Sequence, residues 1–172
     1  MKKYSLILSI PLMFALNGCA LIEKLPGSAK NNFATKFKSN EVPNTLMKKP
    51  LAEGSLTSKF GVRFNPTGIP FPKKHKGIDY RAEEGTPIYA SGDGVIEKKY
   101  VSKSYGNYIK IKHANGFSSA YAHMQHFASG ISIGSPVKRG QEIGAVGTTG
   151  RSTGAHLHYE LHYHGEPVNP LF

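Results

Sequence analysis

GRSTGAHLHYEL, residues 150–161, decides how this chain is read. His156 and His158 stand two apart in a run that reads as a strand. Side chains at i and i+2 of a strand share a face, so both imidazoles project the same way and Leu157 turns from them. Paired imidazoles need partners from elsewhere in the chain. His75 and Asp79, four apart in HKGIDY at 75–80, are candidates, and His123 in YAHM at 121–124 is another.

Outward from that stretch, short apolar runs alternate with glycine-rich turns. Residues 108–112, YIKIK, alternate cleanly, with Ile109 and Ile111 on one face. Residues 86–90, 94–100, 117–123, 142–147 and 156–162 read as further strands. Asp93-Gly94, Asn115-Gly116 and His164-Gly165 punctuate them as turns. No stretch holds a helical period. The expectation is a mostly β chain: a compact antiparallel β domain over residues 51–172, with a groove for the histidine site.

Composition narrows the function. Hydrophobic content of 39% builds a core but not a multi-span membrane protein. The formal charge is +11, and +9 once Lys2 and Lys3 are removed with a leader. Such a surface favours anionic partners, including a polyanionic cell wall. No Lys/Arg block and no basic stripe interleaved with aromatics points to nucleic acid, and none is expected as a partner.

Residues 1–19 have the layout of a secretory signal: a basic start, then an apolar run from Leu6 to Leu16 too short to span a bilayer comfortably. The run ends in Leu16-Asn17-Gly18-Cys19, which resembles a bacterial lipobox. Cys19 is the only cysteine and cannot form an internal disulfide, so lipidation explains it. Ala20 in the next position implies sorting to the outer membrane. Residues 20–50 hold neither period and read as a flexible tether, averaging about 30 Å end to end as a coil.

Zinc takes nitrogen and oxygen ligands, and a catalytic site uses three from the protein. Two histidines and one aspartate suffice, and His75, Asp79 and His158 fit that count. The chain resembles the lysostaphin/LytM family of zinc metallopeptidases from about Ser55 to Phe172. The resemblance rests on HKGIDY, GTPIYASGDGVI at 85–96, YGNYIKIKH at 105–113, YAHM, VKRGQEIGAVGTTGRSTGAHLHYEL at 137–161 and GEPVNPLF at 165–172. It implies one zinc ion held by His75, Asp79 and His158, with His123 and His156 as the catalytic pair. It further implies an endopeptidase acting on peptidoglycan peptide stems. Directly cross-linked Gram-negative wall favours a D,D-endopeptidase on the periplasmic face of the outer membrane, lipid-anchored through Cys19 and monomeric. The alternative is a non-cleaving relative that activates cell-wall amidases.

Other residues receive plainer readings. His162 and His164 read as the strand running out into the Gly165 turn, and His113 and His126 as surface residues. Asp93 reads as a turn residue. Glu83, Glu84 and Glu160 do not stand where the family places a general base. Gly147 to Gly154 lacks the P-loop pattern and reads as a groove wall. The family often has proline where Ala155 stands. The proline-rich insert Pro66 to Lys74 is expected to border the groove.

Overall fold

The computed structural model describes residues 48–63 and 73–171. The leader with Cys19, the tether up to residue 47 and the insert from 66 to 72 lie outside them. Residues 48–50 pack on the domain. Pro50 is buried and its carbonyl accepts the Tyr89 N–H at 2.8 Å, while the Lys49 ammonium lies 5.2 Å above the Tyr80 ring.

Twelve strands and no helix form among the described residues: β1 (Ser55–Ser58), β2 (Gly61–Arg63), β3 (Lys73–His75), β4 (Ile78–Arg81), β5 (Pro87–Tyr89), β6 (Gly94–Ser102), β7 (Gly106–Lys112), β8 (Phe117–Phe127), β9 (Pro136–Val137), β10 (Glu142–Val146), β11 (His156–Tyr163) and β12 (Glu166–Val168). All pairings are antiparallel, as expected. The main sheet runs β1-β4-β11-β8-β7-β6-β9; β10 adds to β8 and β5, and β12 to β11. β2 and β3 form a separate ribbon.

β11 lies between β4 and β8 and divides its side chains cleanly. Leu157 and Tyr159 join the main core with Ile78, Ile109, Ile111 and Tyr121. Burying each such side chain contributes about 1.5–3 kcal/mol. The other face carries His156, His158, Glu160 and His162. His158 stands opposite Asp79 on one side and Ala122 on the other, and Glu160 stands opposite Ala120. The two alanines are small, which leaves room above β8 for an imidazole and a carboxylate.

Two local features position the groove. At Gly77, between His75 and Asp79, a Cβ would collide with the Tyr159 carbonyl. Only glycine lets the His75–Asp79 segment lie this close to β11. At His123 the backbone is left-handed, with φ 59°. Before this point Tyr121 faces the core and Ala120 and Ala122 face away; after it Met124 is fully buried in the core. Strict alternation would send His123 into the core beside Tyr121. The left-handed residue resets the phase and turns the imidazole to the groove side. β8 pairs with β11 up to Ala122 and with β10 from Met124 onward. A non-glycine residue in this conformation costs about 1–2 kcal/mol, a cost met by the surrounding contacts.

Candidate metal centre and groove

His75 ends β3, Asp79 sits in β4 and His158 in β11, and all three are buried. Their ligand atoms lie within 4.8 Å of one another. His75 Nε2 is 3.1 Å from Asp79 Oδ1 and 3.0 Å from His158 Nδ1, and His158 Nδ1 is 2.8 Å from Asp79 Oδ1.

The outer hydrogen bonds decide what these atoms are. His75 Nδ1–H donates to the Lys59 carbonyl at 2.8 Å, so the neutral ring points a lone pair inward from Nε2. His158 Nε2–H donates to Glu160 Oε1 at 2.9 Å, so its inward Nδ1 is also a lone pair. Asp79 as a carboxylate only accepts. Three acceptors at one point require a cation or a proton between them. Burial pushes Asp79 up, but the hydrogen bonds and charges of His158 and His75 outweigh it and hold the carboxyl well below its usual range. Burial pushes His158 down, but Asp79 and Glu160 outweigh it and raise the ring to about 8. A proton on His158 thus takes the cation's part. Tetrahedral ligands about 2.0–2.1 Å from zinc stand roughly 3.3 Å apart, close to the observed spacings, so this donor set fits one zinc ion.

His123 and His156 lie beside the triad with ring centroids 4.7 Å apart, and His123 is 6.1 Å from His158. Each is tied through Nδ1 to a backbone carbonyl: His123 to Thr149 at 2.8 Å and His156 to Gly154 at 2.8 Å. Neither Nε2 has a hydrogen-bond partner among the described residues. Burial dominates at His123; the Thr149 carbonyl partly offsets it, nearby His156 adds to it, and the ring is pushed down to about 4. His123 is therefore neutral at neutral pH.

The segment from 147 to 154 forms a groove wall, as read from its glycines. Thr149 anchors it: its hydroxyl donates to the Met124 carbonyl at 2.7 Å and accepts the Asn107 N–H at 3.0 Å. The same segment thereby holds the kink in β8. The groove has a volume of about 1140 Å³, larger than a typical small-molecule pocket.

All five expected site residues come together, and Cys19 lies outside the described residues. Glu160, passed over in the sequence, is the main addition. It is 2% exposed. It accepts from His158, from the Tyr105 hydroxyl at 3.0 Å and, through Oε2, from His162 Nε2 at 2.7 Å. Burial pushes its carboxyl up, and His158 and His162 more than reverse that. Such a carboxylate fixes the tautomer and aim of a ligating histidine. The signal was present, since Glu160 and His162 continue the two-residue period of His156 and His158. His113 corrects another expectation. It is buried, not on the surface, with Nδ1 2.7 Å from the Asp93 carbonyl and Nε2 2.7 Å from Ser119 Oγ. His126 is exposed as read.

A β floor that brings two imidazoles and a carboxylate to one point, beside a second imidazole pair in an open groove, defines a zinc site of the metallopeptidase class. The chain belongs to Peptidase family M23, whose family model matches residues 73–170. Its resemblance to the lysostaphin/LytM metallopeptidases is thereby borne out. It is 46% identical over 123 residues to the DD-carboxypeptidase/endopeptidase Mpg of Neisseria meningitidis serogroup B, covering 72% of this chain and 28% of that protein. It is 42% identical over 125 residues to the peptidoglycan DD-endopeptidase ShyC of Vibrio cholerae, covering 73% of this chain and 28% of that protein. Among solved structures, a zinc-containing peptidase from Vibrio cholerae superposes with a TM-score of 0.67 at 32% identity, over 72% of this chain and 38% of that one. The chain thus spans little more than a quarter of these curated relatives.

Proposed function

We propose that this chain is a zinc-dependent endopeptidase that cleaves peptide cross-links of bacterial peptidoglycan, as a D,D-endopeptidase. The carrying observation is the inward convergence of His75 Nε2, Asp79 Oδ1 and His158 Nδ1 beside the His123–His156 pair. In this reading His75, Asp79 and His158 are the zinc ligands. Zinc, when bound, supplies a Lewis acid that polarises a scissile carbonyl and acidifies water. The protein's part is positional. His123 and His156 each present an Nε2 to the groove, where the pair can take a proton, return one to the departing amine and hydrogen-bond charge on the carbonyl oxygen. The fixed Nδ1 contacts keep both rings from rotating away. The names of the Neisseria and Vibrio relatives support the D,D bond as the target.

The leader reading adds a location: the protein is lipid-anchored through Cys19 at the periplasmic face of the outer membrane, where its basic charge suits an anionic wall. A Cys19→Ala protein that still partitions with outer membrane would remove the anchor from the proposal.

The test of the activity is digestion of purified cross-linked peptidoglycan with products read by mass, with zinc, with a chelator, and with His156→Ala. Chelator-sensitive conversion of cross-linked dimers to monomers, lost in the variant, is the expected result. Zinc-loaded protein that leaves dimers intact and instead stimulates an amidase would put the activator reading in its place.

A further inference from the structure

The metal ligands and the imidazole pair leave the cations of the groove unexplained. Lys74, Lys76, Arg81 and Arg151 all line it. Two of the acids that line it, Asp79 and Glu160, are already engaged by histidines. Arg81 has the most informative place. In the β4–β11 ladder Asp79 stands opposite His158, and two residues on, Arg81 stands opposite His156. Asp79 and Arg81 share a face of β4, so the guanidinium extends from the same floor as the metal ligands, roughly 7 Å further along the strand. Arg151 comes from the wall segment on the other side of His156, its N–H held by the Ser104 carbonyl at 3.0 Å. Among the described residues neither guanidinium has an ion pair or a side-chain hydrogen bond, although Glu83 is two positions from Arg81. Ion pairing elsewhere therefore does not account for them.

The geometry points to Arg81, with Arg151, as a clamp for a free carboxylate on the residue that supplies the leaving amine. This rests on the peptidase reading and names its substrate class: peptides in which the carbon bearing the scissile nitrogen also carries an unblocked carboxylate. A guanidinium matches a carboxylate through two parallel N–H···O bonds, which an ammonium does not reproduce. Placement one strand step from the metal point puts that anion one residue from the cleaved bond. Hydrolysis there leaves the water's hydroxyl on the carbonyl carbon and a proton on the amine, with the carboxylate unchanged and still held. A carboxypeptidase and an endopeptidase acting next to such a carboxylate would share this clamp, and an internal bond lacking one would not engage it.

The test uses the zinc-loaded full chain and two synthetic peptides that differ only at that carboxylate, free in one and carboxamide in the other. The kcat/KM ratio of the pair should favour the free acid by about 10- to 100-fold, should fall toward one in Arg81→Gln, and should be partly restored in Arg81→Lys. Reduced-amide versions, which cannot be cleaved, are measured for binding by calorimetry. Cleavage of both peptides at equal rates by the wild type would overturn the clamp and leave the peptidase reading standing. Selective binding lost in Arg81→Gln, with neither peptide cleaved, would keep the clamp and overturn the peptidase reading. Equal binding without cleavage would sink both.

Discussion

Two buried polar networks lie on opposite faces of the same sheet, and they are finished to different degrees. On the core side, donors and acceptors run in one closed line: Tyr159 Oη to Ser91 Oγ at 3.0 Å, Ser91 Oγ to Tyr121 Oη at 2.9 Å, Tyr121 Oη to Ser119 Oγ at 2.9 Å, and Ser119 Oγ to His113 Nε2 at 2.7 Å. His113 Nδ1–H then donates to the Asp93 carbonyl. Each hydroxyl can donate once and accept once, no ion is needed, and burial lowers the His113 pKa so that the ring stays neutral. On the groove side, the outer bonds of His75 and His158 are equally well made, but they leave three acceptors facing one point. A histidine is structural where its network closes, and functional where the network closes only around something else.

The sharpest way to break this contrast is to exchange the roles. His158→Ala should lose stoichiometric zinc, read by metal analysis after gel filtration; a variant that retains one zinc per chain would strike His158 from the ligand set. Glu160→Gln keeps the shape but not the charge that receives His158 Nε2–H. Its zinc affinity should fall about 10- to 100-fold in a chelator competition, and an unchanged affinity would make Glu160 a mere packing residue. His113→Ala should do the reverse, keeping zinc while losing about 1–3 kcal/mol in a urea unfolding experiment, because Ser119 and the Asp93 carbonyl lose their partner. Zinc loss in that variant would mean that the two networks are not independent.

The smallest effect is a titration. The imidazole of His123 should show an NMR midpoint near pH 4, whereas a solvated ring would titrate near its ordinary value. The unfolded chain binds a proton at this site below about pH 6.5, which the folded one refuses until about 4. The site's contribution to stability is therefore complete above about 6.5 and is lost as pH falls through 4, on the order of 1–3 kcal/mol.

Much of this was legible from the residues. The expected strands at 94–100, 108–112 and 156–162 fall within β6, β7 and β11, because their alternation reflects one buried face. β1, with the sequence SLTS, and β3, with KKH, carry no such pattern. They are held by pairing with neighbours, which single-strand periodicity does not report. That His156 and His158 share a face was legible because their two-residue spacing survives folding unchanged in β11. His123 was legible as a candidate only through its motif, because strand parity alone would have placed it in the core. Glu160 was passed over, and His113 read as a surface residue, for one reason. Burial of a polar side chain depends on the neighbours that folding brings to it, here Ala120 opposite Glu160 and the Ser119 hydroxyl bonded to His113, and periodicity within one strand does not report them.

The break in β8 at His123 also limits transplantation. A designer who copied the five side chains onto a regular antiparallel scaffold would reproduce the ligands and mis-aim the fifth residue by half a pleat. The portable unit is thus larger than the constellation. It includes a left-handed residue, Thr149 to brace it, and a second sheet partner to take over the strand once its phase has changed.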